Sequence, residues 1–502
     1  MSRPVVVGVD VGTTSVKAVV VDDTWHVRGQ AGEEYPTRYV GATGAEQDPD
    51  DWWRATASCV SAALSDAGVA SSDVAAVGVS SQAPTVVLLD SDGRPLGPAL
   101  VWLDRRGQSE CARRAGDTDR IVELTGNRPD SYYAAPKLAW LLRENPGLAT
   151  RAAAMVMANG YVVHRLTGVV SADTTHTGLS LLNDLDAGDW STELAELWGV
   201  PRRWLPPVWE PTAVVGTVRP EAASVTGLAA GTPVIAGLVD GAAASVEAGV
   251  VAHGDVCEMT GQSTVVNAAV EVAAARASTG ALSVMPYPIP GHHLVFGAMV
   301  ATGGILRWFR DELTEDSTGD TYAALDALAG TAPLGSGGLV MLPYFLGERS
   351  PIWDSDARGA FVGLSLSTSR ADLVRAILEG TAYGLAHNLD EMAALNLRPS
   401  TLRVVGGGSR GRTWNQIKAD VTGVPVEVPA ESLGAPVGTA LVAAAGVGLL
   451  TDLVEVARAR YAVGERYEPD PARHAAYRRR YQIYRELYPS LAKVHQMLAE
   501  LR

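Results

Sequence analysis

The chain has 502 residues, 47% hydrophobic and 19% charged; it is too long for one core and reads as two large domains of an ordinary globular protein. Its net charge is −15, from 56 acidic and 41 basic residues, and no basic run offsets this, which argues against nucleic acid or an anionic membrane as a partner. Cys59, Cys111 and Cys257 are too few and too scattered for a zinc site or a disulfide framework; they fit a reducing cytoplasm, and no apolar signal segment opens the chain.

The first elements in chain order are two valine-rich strands, Val5–Val9 and Val16–Val21, around a Gly-Thr-Thr-Ser turn. Asp10 interrupts the first and Lys17 stands early in the second. Asp48-Pro49-Asp50-Asp51 reads as a helix start with Asp48 as cap, and Trp53, Val60 and Leu64 then share a helical face. Val74–Val79 and Val86–Asp90 read as strands, and Val101–Leu103 as another after the turn "DSDGRP". Strands mixed with helices predict α/β layers.

A second set starts near residue 250. Asp255–Thr260 and Thr264–Ala269 predict a strand–turn–strand around "TGQS". Ser369 to Leu395 predicts a helix, with Ser369 as cap, Asp372 three residues on, and a stripe of Leu373, Ile377, Thr381, Leu385 and Leu389. Leu402–Val405 then runs into "GGGSRGR". The stretch 433–451 is uncharged but interrupted by Pro436 and four glycines, which favours a buried, closely packed helix over a membrane span. The tyrosine-rich C-terminal stretch reads as an amphipathic closing helix, and His292-His293 as a loop. Each half thus opens on a strand, a Gly/Ser/Thr turn and another strand. Two similar α/β halves predict a cleft between them, with the division near residues 245–255.

Glycine and hydroxyl turns expose backbone N–H groups that cradle phosphate. None of the four lysines follows a glycine, so this is no P-loop. A hairpin presenting Asp10, Thr13, Thr14 and Lys17 suits phosphate oxygens if Mg²⁺ stands between them and the carboxylate; the alternative is an aspartate capping its own turn. Asp240 ends an apolar run and is followed by small residues. It is a candidate general base for a hydroxyl nucleophile, the alternative being a helix cap. Trp102 suits stacking on a sugar face or a place in the core. Asp104 and Arg105 suit hydroxyl binding or an ion pair.

Six segments in order then resemble the FGGY carbohydrate kinases, a family that includes xylulokinases and glycerol kinases. They are "GVDVGTTSVKAVVVD", "ALVWLDRRGQSECA", "YYAAPKLAWLLRENP", "GTPVIAGLVDGAAA", "GAFVGLSLSTSRADLVRAILE" and "LRVVGGGSRGRTWNQIKADVTGVPV". The resemblance implies two actin-like, ribonuclease-H-like α/β domains, 1–248 on the sugar and phosphate side and 249–502 on the adenosine side, closing on a central cleft. It implies transfer of the γ-phosphoryl of ATP, with Mg²⁺, to a sugar or polyol. It makes Asp240 the base and Asp10 the metal carboxylate. Thr13, Thr14 and Lys17 would touch phosphates; Gly407 and Gly408 would underlie adenosine, and Gly303 would line the nucleotide pocket.

Gln82, Ala83 and Trp102 fall on the substrate side. There the chain departs from its relatives. "SSQAPT" keeps Gln82 but sets Ala83 and Pro84 where xylulokinases and glycerol kinases carry polar pairs, and these two cannot hydrogen-bond a hydroxyl through their side chains. Gln262 stands where threonine is common, with Ser263 or Thr264 as substitutes, Gly241 follows the base, and Ala134 replaces a proline, serine or threonine. A xylulose-like ketose is the leading substrate expectation, a homodimer the expected assembly, and the cytoplasm the expected location. An actin-like ATPase and a non-catalytic sugar-sensing regulator are the alternatives.

Overall fold

A computed structural model describes residues 3–276, 280–313 and 321–501. Its framework is two mixed sheets, each of seven strands among the described residues. The first contains β1 (Val5–Val11), β2 (Ser15–Asp22), β3 (Val27–Glu34) and β4 (Val74–Ser81). β1 pairs antiparallel with β2 and parallel with β4. The second contains β5 (Val256–Thr260), β6 (Thr264–Glu271) and β7 (Leu402–Val405), and β5 likewise pairs antiparallel with β6 and parallel with β7. The duplication expected from the two strand–turn–strand segments is therefore present in backbone pairing, and the fold is the two-domain, actin-like α/β fold.

Alternation along β1 explains what each face does. Val5, Val7, Val9 and Val11 are buried against helix α1 (Pro49–Ala67) in one core. Val6, Gly8 and Asp10 lie on the other face. That face is covered by helix α4 (Ala435–Gly446), the uncharged segment, which packs on β1, on β4 and on helix α2 (Asp240–Glu247). Gly8 stands opposite Gly78. A Cβ on Gly8 would strike the Pro436 carbonyl, and one on Gly78 would press on the Thr439 backbone. On the opposite side of α4, a Cβ on Gly438 would strike the Ala243 carbonyl of α2. The glycines of this segment are thus sites of close backbone approach, and the buried, closely packed helix is what forms. No helix among the described residues is long and apolar enough to cross a membrane.

Local signals at element starts were accurate. Asp48 accepts from the Asp50 amide. Ser369 and Asp372 form a full capping box on helix α3 (Arg370–Ala394). Helix α5 (Pro471–Ala499) closes the second domain through Tyr477, Tyr481 and Tyr484.

Two readings need correction. Val101–Leu103 is not a strand: the strand is Ala99–Leu100, after which the chain turns and the Asp104 amide bonds to the Val101 carbonyl. His292 and His293 open a strand, His292–Met299, because β6 supplies a pairing edge there.

The Gly438 contact makes a stability prediction. Gly438→Ala should destabilise the protein by about 1–3 kcal/mol, the usual cost of overpacking, despite the better helix propensity of alanine. Urea unfolding checks this, with Gly116→Ala, whose added Cβ meets nothing, as a near-neutral control.

Candidate active site

The two sheets face a cleft of about 940 Å³. The β1–β2 turn brings Asp10, Thr13 and Lys17 to it, α2 brings Asp240 and Gly241, and the β5–β6 turn brings Thr260, Gly261 and Ser263. The segment after β7 adds Gly406, Gly407, Ser409 and Arg410. A larger hollow of about 1320 Å³ lies on the outer surface of the first domain, lined by Asp90, Arg94, His164 and Arg219 among others. It contains neither glycine turn and neither cleft carboxylate, so the chemistry belongs to the smaller cleft.

Asp10 ends the α4-facing row of β1, and Asp240 is the first residue of α2. Both are partly open to the cleft. Asp10 accepts from the Ser80 hydroxyl at 2.9 Å, and Asp240 from the Gly241 amide at 2.6 Å. Loss of water raises both carboxyls above the ordinary range, and the charge of Asp10 raises Asp240 further; Ser80 and Lys17 ease Asp10 back in part. Two carboxylates that resist joint ionisation call for a cation between or beside them. Among the described residues no group of three or more His, Cys, Asp or Glu side chains gathers into a metal cage. This donor set fits Mg²⁺, which is held by one or two carboxylates while waters and substrate phosphates complete its shell.

The expected nucleotide residues fall into two groups. Thr13, Lys17 and Gly407 line the cleft. Thr14 is exposed and outside the lining, its carbonyl taking the Tyr35 amide. Gly303 and Gly408 act one layer back: a Cβ on either would strike the Gly261 carbonyl or the Thr260 side chain. Gln262 offers the cleft no side chain. Its carbonyl takes the Thr302 and Gly304 amides, while Ser263 lines the cleft and the Thr264 hydroxyl bonds to Thr260 and Thr302.

On the substrate side Ala83 and Trp102 line the cleft, and the Trp102 indole donates to the Thr13 hydroxyl at 2.9 Å. Gln82 does not reach it: it is buried, and its amide donates inward to Gln47. Asp104 is likewise buried, held by the Ala45 amide and by Arg106, and Arg105 pairs with Asp130 at 2.6 Å. Both are ion-paired rather than free for hydroxyls. Among the cleft residues missed from the sequence are Tyr132 and Arg349. Tyr132 sits inside a quoted segment without drawing notice. Arg349 lies in a loop with no periodicity, and only a charged pair before a proline marked it.

The family model for the FGGY family of carbohydrate kinases, N-terminal domain, matches residues 5–246, and that for the C-terminal domain matches residues 259–447. A glycerol kinase from Alcanivorax borkumensis is 34% identical over 468 residues, covering 90% of this chain and 92% of its own. The crystal structure of a xylulose kinase from Rhodospirillum rubrum superposes with a TM-score of 0.89 at 34% identity, covering 98% of this chain and all of that one. That of a gluconate kinase from Lactobacillus acidophilus superposes with a TM-score of 0.90 at 25% identity, over 99% of this chain and all of that one.

The raised carboxyl of Asp240 sets a pH dependence of stability. Its proton is held more tightly folded than unfolded, so stability without metal falls as pH rises out of the ordinary carboxylate range. Asp240→Asn never ionises. It should therefore melt roughly 2–4 °C above the parent near pH 8, with the gap closing near pH 4, in thermal scans with EDTA.

Proposed function

The chain belongs to the FGGY family of carbohydrate kinases, and on that premise we propose how its cleft carries out the reaction. The enzyme transfers the γ-phosphoryl group of ATP to a hydroxyl of a sugar or polyol. In our reading Asp240 accepts the proton of the acceptor hydroxyl. The freed oxygen bonds to the γ-phosphorus as the bridging P–O bond breaks and ADP leaves. Thr13, Lys17, Ser263 and the amides of the two turns hold the phosphates, with Thr14 at the rim. Gly407 lies under adenosine, and Gly303 and Gly408 hold the surrounding backbone close. Mg²⁺, held through Asp10, supplies charge neutralisation at the phosphates. Such transfer depends mainly on positioning and charge stabilisation, so few residues suffice.

The observation that carries this reading is the meeting of Asp10 and Asp240 in one cleft between two glycine–hydroxyl turns. We assign residues 1–248, with helix α4 packed on them and Arg349, to the sugar and phosphate side and the rest of 249–502 to the adenosine side. The three cysteines are free and buried, which supports a cytoplasmic enzyme. The homodimer is the assembly to test by sedimentation. The relatives are named for a triol, a ketose and an aldonic acid, so their names do not converge on one acceptor. Ala83 itself has no polar side chain to read a ketose.

Acceptor-stimulated ADP release across four- to six-carbon ketoses and polyols tests the reaction. Asp240→Asn should lose at least about 100-fold in turnover, the usual range for a general base, while nucleotide still binds; near-normal turnover would remove Asp240 from the mechanism. Asp10→Ala should shift the magnesium titration of activity more than the acceptor KM. ADP release that ignores every acceptor would return the ATPase reading.

A further inference from the structure

Arg349 is 4% exposed yet lines the cleft. Its backbone is pinned. The Arg349 amide and the Val300 amide both donate to Glu348 Oε1, at 2.8 and 3.0 Å, and the Ser350 amide donates to the Ala298 carbonyl. Its guanidinium lies 3.6 Å over the Tyr132 ring and 5.7 Å from the Trp353 ring. The group reaches the Tyr132 hydroxyl, but Nε and Nη2 have no hydrogen-bond partner. A buried cation with two idle donors is costly unless an anion meets it.

No protein carboxylate bonds to those two donors, although the charge of Arg349 helps hold Asp130 low. Asp130 is already engaged by Arg105 and by the Tyr132 amide at 2.7 Å. Burial pushes the Glu348 carboxyl up to about 8, so it is largely protonated at neutral pH. The neighbouring Lys137 ammonium donates to the Ser131 carbonyl and is pushed down to about 7 by burial. Arg105 and Arg349 therefore face Asp130 alone, and this end of the cleft is short of one negative charge.

The deficit lies on the acceptor side. Arg349 covers the Tyr132 ring, which meets the ring of Trp102 on the acceptor wall edge-on at 6.5 Å. The Tyr132 hydroxyl beneath it bonds to the Ala83 carbonyl, so the idle donors stand beside the wall where the chain has given up its polar side chains. A planar guanidinium fork matches a carboxylate in two parallel hydrogen bonds. Resting on the kinase reading above, we propose that Arg349 is the specificity residue of this site. Its preferred acceptor is a polyhydroxy carboxylic acid, with the carboxylate on the Arg349 fork and the reacting hydroxyl at Asp240.

Matched pairs test this without any variant. D-gluconate and D-glucitol share a carbon chain and differ only in carboxylate against CH₂OH, as do D-xylonate and xylitol. The wild-type enzyme should favour at least one acid over its alditol by roughly 10–100-fold in kcat/KM, the range of a charge-assisted pair, and bind it more tightly in calorimetry without nucleotide. Arg349→Gln should bring that ratio to about one by raising the KM for the acid, and Arg349→Lys should restore it in part. Turnover of ketoses or alditols with no preference for an acid would overturn the proposal and leave the kinase standing. So would preference for a sugar phosphate, or an Arg349→Gln effect on the KM for ATP in place of the acceptor. Selective binding of the acid with no ADP release from any acceptor would sink the kinase reading and keep the carboxylate site.

Discussion

Two carboxylates that cannot both ionise at ease govern this cleft. Asp10 and Asp240 arrive from different elements, a strand end and a helix start, and are short of water in the same space. Everything around them bears on that charge. Lys17 stands across the hairpin from Asp10, Ser80 donates to it, and the turn residues Thr13 and Ser263 line the same space. A fold that keeps such a pair gives up stability for chemistry, as active sites commonly do.

The two hairpins are alike in backbone and opposite in electrical state. The first leaves Asp10 open to the cleft. The second holds an acidic residue too, Glu258, but neutralises it with Lys418 at 2.8 Å in the interior. From there the Thr260 hydroxyl bonds to Glu258, and the Thr264 and Thr302 hydroxyls continue the chain. One copy of the duplicated unit thus carries reactive charge, and the other spends its charge on holding a turn in shape.

What the sequence disclosed follows from how local each cause is. Asp10, the glycine turns, the Asp48 cap and the Ser369–Asp372 box depend on neighbours within a few residues, and they were readable. The tight helix at 435–446 was readable because only close packing explains so many small residues without charge. Gln82 was misplaced because its side-chain partner, Gln47, lies 35 residues away and draws it inward. Trp102 is fixed by a turn whose anchor, the Ala45 amide on Asp104, is 59 residues distant. Arg349 was missed for the same reason. Its meaning comes from a tyrosine more than two hundred residues earlier and from an acid that another arginine already occupies. Long-range charge accounting has no periodicity to detect.

Helix α4 comes late in the chain, within the stretch matched by the C-terminal family model, yet it lies on the sheet built by the first half of the chain. It touches β1 and β4 through glycines and α2 through Gly438. Two domains in space are therefore not two separable segments in sequence. A fragment ending near residue 248 would lack the cover for its own central strands and expose the apolar face around Val6 and Ala76. The first domain can finish folding only after the ribosome has released residue 446. For most of its synthesis, the nascent chain carries the strand of Asp10 with one side bare.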